Sequence, residues 1–122
     1  MPSMTLSPLS VTTVAGVTVG TFPAEADASN ASAIRDQLLH LIGAGTGPLV
    51  LDLTATEFCD CACVGAILRA EREADARRIR ICLALPPAGP VRRIAAMTGL
   101  DRHLPVTTSV AGAGRTLGAV PG

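Results

Sequence analysis

The stretch PLVLDL, residues 48–53, constrains this chain more than any other: it is a continuous apolar run that opens directly after the glycine-rich break GAGTG. A run of this length with no polar alternation suits a short strand covered on both faces, which is the middle of a sheet. The flanking sequence alternates strands with helices. VTTVAGVTVGTF, residues 11–22, reads as two β-branched strands around a turn at Ala15 and Gly16. Residues 30–42 place Ile34, Leu38, Leu41 and Ile42 on one helical face, with Ser29 or Asn30 as the cap.

After the central strand, the periodicity turns helical from Cys61 or Ala62, with Val64, Ile67 and Leu68 facing inward and Arg69 to Arg78 mostly solvated. IRICLAL, residues 79–85, predicts a strand with Ile79, Ile81 and Leu83 on one face and Cys82 and Ala84 on the other. VRRIAAMTGL, residues 91–100, predicts a short helix closed by Gly99 in a left-handed cap, with Leu100 packing back. Pro105–Thr108 predicts a short edge strand, and Ser109 caps a last, glycine-weakened helix with Val110, Ala113 and Leu117 as its apolar set. The order β, β, α, β, α, β, α, β, α predicts one α/β domain, a mixed sheet with helices on one side or one end. At 122 residues and 48% hydrophobic content there is room for one core and no second. The expected boundaries are a tail over 1–9, the domain over 10–118 and a tail over 119–122.

Charge and composition exclude several functions. Ten basic and ten acidic residues cancel, and no block of like charge suits nucleic acid or an anionic membrane. The only aromatics are Phe22 and Phe58, so the core is aliphatic and no stacking platform for bases exists. The N-terminal residues lack the basic and apolar regions of a signal peptide, and no segment approaches the ~18 apolar residues that span a membrane. A cytoplasmic protein with four reduced cysteines is the expectation.

Three of those cysteines alternate in EFCDCACVGAIL, residues 57–68. Zinc or iron–sulfur sites draw thiolates from separate parts of a chain, and on a helix that starts at residue 61 Cys61 and Cys63 point about 200° apart. No metal and no cofactor is therefore expected; Cys59 reads as a small core residue and Cys63 as a small helix residue. Cys61 differs, because the first turn of a helix favours an anion, although Asp60 beside it acts in the opposite direction. Oxidation sensing at Cys61 stays open on this ground. Catalysis does not follow: His40 and His103 show no pairing with a cysteine, and the chain reads as a non-enzyme. Thr54, Thr56 and Ser109 stay open as alternative phosphorylation sites, although threonine in a strand-to-helix connection, as at 54 and 56, is more often a turn residue.

LDLTATEFCDCACVGAILRAEREA resembles the signature of the STAS domains, the sulphate-transporter and anti-sigma-factor-antagonist family, in which an apolar strand ending in Asp-Leu precedes an Asp-Ser-x-Gly-Leu helix start. PAEADASNASAIRDQL resembles the family's Gly-Glu-Leu-Asp turn and first helix, with Glu25 and Asp27 in place and Ala24 where glycine is usual. VRRIAAMTGLDRHLPV resembles the segment leading to the final strand and helix. The similarity spans about residues 10–118 in three ordered blocks. It implies the family's fold, a small mixed sheet with helices mainly on one face.

The resemblance also implies a switchable binding module of the anti-sigma-factor-antagonist branch. There, the serine of the motif is phosphorylated by the partner, an anti-sigma factor of serine-kinase type, and the added charge of roughly −1.5 to −2 ends docking. Carried onto this chain, the phosphosite-equivalent position is Cys61, the preceding acid Asp60, and the glycine and leucine positions Cys63 and Val64, with Gly65 keeping the next small position. Glu25, Asp27, Asp60, Cys61, Ala62, Cys63, Val64 and Gly65 form the implied docking surface. Cysteine is no substrate for a serine kinase, so the implied function is docking on an anti-sigma factor with the phosphorylation switch lost. The alternative is a thiol-based redox sensor using Cys61 on the same surface. Transporter-attached STAS domains follow a membrane region, and a free-standing regulator is the expected form.

Overall fold

A computed structural model describes residues 7–118. The chain begins with a hairpin, β1 (Ser10–Val14) and β2 (Val17–Thr21), paired antiparallel over five residues. Its two turn residues, Ala15 and Gly16, have φ of 52° and 82°. Positive φ at both central positions is the signature of the two-residue turn whose twist matches that of the strands. Parallel strands β4 (Leu49–Asp52), β6 (Ile81–Ala84) and β7 (Val106–Thr107) complete a five-stranded sheet in the order β1-β2-β4-β6-β7. Of the expected tail over 1–9, only residues 7–9 are described. Residues 1–6 and 119–122 lie outside the described residues, and Leu9 already belongs to the core, with its N–H donating to Gln37 Oε1.

The continuous apolar run is explained by position, because β4 is the middle strand and both its faces are covered. Leu49 and Leu51 point into the larger core with Ile34, Leu38 and Ile42 of α1 (Ala31–Gly43) and Val64, Ile67 and Ala70 of α2 (Cys61–Ala76). Val50 points the other way, joining Val17, Val19, Cys82, Ala84 and the buried Ala113 and Leu117 around α5 (Val110–Thr116). β6 divides as its alternation predicts, Ile81 and Leu83 to the first core and Cys82 and Ala84 to the second. Helices therefore sit mainly on one face, with the short α5 on the other. Gly99 ends α3 (Pro90–Thr98) in the left-handed conformation, φ 79°, and Leu100 is buried behind it.

Three elements were not expected. α4 (Leu100–His103) restarts a helical turn after Gly99, so His103 is within a helix rather than beyond one. Strands β3 (Glu25–Ala26) and β5 (Phe58–Cys59) form a separate two-stranded parallel sheet. Asn30 is the N-cap residue of α1, but its side chain makes no capping hydrogen bond. Instead its Oδ1 accepts from the Asp27 N–H and its Nδ2 donates to the Glu25 carbonyl, which ties β3 to the helix start.

Ala15 is the one strained position in the hairpin, since a left-handed conformation costs an L-residue with a Cβ about 1–2 kcal/mol. Ala15→Asn supplies the residue that tolerates it and creates an Asn-Gly turn. Urea unfolding of dilute protein should give a stability gain of about 0.5–1 kcal/mol at unchanged m-value; a loss would contradict the turn assignment.

Candidate functional site

At the carboxyl ends of β2 and β4, where open α/β sheets place their binding sites, two connections run side by side. The first leaves β2 through Phe22, which is buried, to β3; the second leaves β4 through Leu53 to β5. Their backbones are stitched together: Glu57 and Phe58 N–H both donate to the Ala24 carbonyl, at 2.7 and 3.1 Å, and Asp60 N–H donates to the Ala26 carbonyl at 3.2 Å. Thr56 is the one buried polar residue here, and its Oγ1 donates to the Pro23 carbonyl at 2.9 Å. Thr54 donates through both N–H and Oγ1 to Asp52 Oδ1, closing the turn after β4. Both threonines thus serve the turn, and Thr56 has its hydroxyl inside.

This zipper delivers Asp60 to the start of α2. Asp60 Oδ1 accepts from the N–H groups of Ala62 and Cys63, at 3.0 and 3.2 Å, and is the N-cap. A carboxylate there satisfies two of the orphan donors and sits at the positive end of the helix dipole, a cap worth about 0.5–2 kcal/mol. The anion that a helix start favours is therefore supplied by Asp60 itself. Cys61, at the first helical position, stands exposed beyond it.

The expected docking residues separate into two groups. Glu25, Cys61, Ala62 and Gly65 are exposed, and Asp27 and Asp60 are half-buried. The pairing of Glu25 with Phe58 and Ala26 with Cys59 brings the Glu25–Asp27 turn beside the Asp60–Cys61 turn. Two hydrogen bonds from Ser29, from its hydroxyl and its N–H, hold the Asp27 carboxyl below the usual carboxylate range. Cys63 and Val64 turn inward, with relative exposures of 0% and 3%. Their side chains belong to the core, and this corrects their placement on a partner-facing surface: on a helix that begins at residue 61, positions 63 and 64 are the ones that face the sheet.

One residue of this region escaped the sequence reading. Phe58 is 46% exposed, directly beside Glu25, while the other aromatic, Phe22, is buried. The signal was the strand alternation: once Cys59 faces in, Phe58 faces out. A groove of about 590 Å³ continues the surface between α1 and α2, lined by Ala31, Ser32, Arg35, Ala62, Gly65 and Arg69 among others. A Cβ built on Gly65 would meet nothing within 4 Å, so the bare backbone there shapes the groove and serves no internal contact.

Of the four cysteines, Cys61 is exposed and Cys59, Cys63 and Cys82 are buried. A hydrogen bond with Cys59, with burial and the neighbouring charge adding, pushes the Cys63 thiol well above the ordinary range. Burial pushes the Cys82 thiol up as well, against opposing contributions from Thr107 and Arg80. Among the described residues no group of three or more His, Cys, Asp or Glu is placed to hold a metal ion. His40 lies exposed in the last turn of α1, at the far end of that helix from the Asp27 turn, and His103 is exposed on α4.

The STAS domain model matches residues 8–113. The chain belongs to the STAS domain family. No curated protein matches it at a significant level. Among solved structures, this STAS domain is similar to an anti-sigma factor antagonist from Mycobacterium paratuberculosis, at 22% identity and a TM-score of 0.76, covering 89% of this chain and 92% of that one. It is similar to the Bacillus cell fate determinant SpoIIAA in its phosphorylated form, at 21% identity and a TM-score of 0.67, covering 88% and 98%. The same fold recurs in the murine anion transporter Slc26a9, at 19% identity and a TM-score of 0.61, where it covers 88% of this chain and 18% of the transporter. At these identities the likeness establishes the shared fold. No helix among the described residues of this STAS domain is long and apolar enough to cross a membrane.

The burial pattern predicts that one thiol of four reacts with a small aromatic disulfide reagent in the native protein. The other three should react only on unfolding. Cys61→Ser should abolish the native reaction; two or more native-reactive thiols would contradict the placement of Cys59 and Cys63.

Proposed function

We propose that this STAS domain is an anti-sigma-factor-antagonist-like binding protein, acting in the cytoplasm, that docks on an anti-sigma factor of serine-kinase type. The docking surface is the paired turns that carry Glu25, Asp27, Asp60 and Cys61, with exposed Phe58 as an apolar anchor and Ala62 and Gly65 opening onto the α1–α2 groove. The observation that carries this reading is the exposed Cys61 at the first position of α2, held outward by the Asp60 cap. The similar antagonist structures, one of them solved in a phosphorylated form, support the class of partner. No catalytic role is assigned to any residue.

Chemistry at position 61 decides the switch. Asp60 already occupies the Ala62 and Cys63 amides, so a phosphate on residue 61 would have to compete with this carboxylate for them and would stand in solvent beside it. It would act by adding roughly −1.5 to −2 charges to the docking face, and the fold would be unchanged. A thiol cannot accept that group from a serine kinase. The protein accordingly docks without being released by its partner's kinase activity. A redox reading on the same surface is kept because Cys61 is the thiol that solvent oxidants reach.

Binding to the kinase-like partner recovered from the native host is measured with ATP, with mild peroxide and with neither. Wild type should bind equally with and without ATP. Cys61→Ser should become phosphorylated and lose about tenfold or more in affinity when ATP is present, and Cys61→Asp should lose a comparable amount without ATP. Release of wild type by peroxide alone, absent in Cys61→Ser, would favour the redox reading. A Cys61→Ser protein that is never phosphorylated, together with a Cys61→Asp protein that binds like wild type, would refute the docking assignment.

A further inference from the structure

We infer that β1 is the contact strand of a two-fold dimer, in which the edges of two copies pair antiparallel about Thr12. β1 is an edge strand of the five-stranded sheet, and all five of its residues, Ser10-Val11-Thr12-Thr13-Val14, are exposed. Edge strands in soluble proteins are commonly blunted by charge, proline, a bulge or a cover. Among the described residues this one carries none of these devices: it is uncharged, rich in β-branched residues, and in unbroken register with β2 along its whole length. Val11 and Val14 are 43% and 53% exposed, two of the four large hydrophobic side chains the described surface leaves open. Val14 also lines an apolar groove of about 390 Å³ with Val17, Val19, Val50 and Val110, on the sheet face that the short α5 covers incompletely.

The free backbone groups fit a strand, and their spacing makes β1 complementary to a second copy of itself. In a two-residue hairpin the closing pair, Val14 with Val17, exchanges both hydrogen bonds, and the pattern alternates along the ladder. Ser10, Thr12 and Val14 therefore spend their N–H and C=O on β2, while Val11 and Thr13 turn theirs outward. A second β1 laid antiparallel with Thr12 opposite Thr12 sets Val11 against Thr13 on both sides of the axis. All four outward groups of each copy are then paired at once. The same register puts Val14 of each copy opposite Ser10 of the other, on the groove face that Val14 shares with its cross-strand neighbour Val17. Nothing opposes the approach electrostatically, because the strand is uncharged and the chain has a formal net charge of zero. The far edge of the sheet, β7, has only two residues, so the assembly closes as a dimer and does not grow into a filament. An interface built on five residues is small, and the dimer is accordingly transient and concentration-dependent.

Sedimentation equilibrium and cross-linking test this together. From about 10 μM to about 1 mM, the range in which small interfaces associate, the weight-average mass should climb from 12.4 kDa toward twice that value and no further. Thr12→Lys sets two ammonium groups against each other on the axis and should hold the mass at 12.4 kDa throughout. In a Cys61→Ser background, Thr12→Cys should form an intermolecular disulfide under mild oxidation far faster than Ser10→Cys, since residues facing each other in a non-hydrogen-bonded pair lie about 4.5 Å apart at Cα. Wild type that stays monomeric to 1 mM, equal cross-linking at the two positions, or species larger than a dimer would each overturn the proposal.

Discussion

Asp60 is the residue on which the site depends, because it is held from two directions at once. Its backbone N–H is fixed to Ala26 of the small β3–β5 sheet, and its carboxylate is fixed to the first amides of α2. Those contacts set the phase of everything nearby. With residue 60 spanning the change from strand to helix, Cys59 faces the core on one side, Cys61 faces solvent, and Cys63 returns to the core about half a turn later. An alternating row of three identical side chains is thereby divided into an exposed thiol and a buried pair by one cap.

The larger fold provides the rigidity this arrangement needs. β4, apolar and buried on both faces, anchors the strand from which the second connection leaves, and β2, its parallel neighbour, anchors the first. The two connections emerge at the same end of the sheet, and their hydrogen bonds convert what would be two loops into one surface. The β1 edge, uncovered among the described residues, belongs to the other side of the hairpin. A partner on the paired turns and a second copy on β1 would use different parts of the chain.

Most of the large elements were legible in the sequence, because each carried a period: the β-branched hairpin, the two long helices, the continuous run of β4 and the alternation of β6. The elements missed are those too short to have one. β3 and β5 are two residues each, and their pairing depends on residues 25 and 58 meeting in space. α4 follows a glycine that correctly marked the end of a helix, and the marker says nothing about a helix resuming behind it. Asn30 has the composition of a capping residue and the position of one, yet its side chain is drawn back to Glu25 and Asp27 by the turn those residues make. At the site, the residue numbers were legible from the motif, but facing was not. Cys63 and Val64 were counted with the surface although the helical phase that starts at residue 61 turns them inward. Phe58 was overlooked because the strand that turns it outward was not foreseen.

The central claim is that the paired turns around Asp60 form the partner-facing surface. Amide hydrogen exchange on the free protein and on its complex with the partner proposed above tests it most directly. The account predicts added protection over residues 24–32 and 57–66, with β1, β2 and α5 unchanged. Protection confined to the hairpin and α5, with residues 57–66 exchanging as in the free protein, would contradict it.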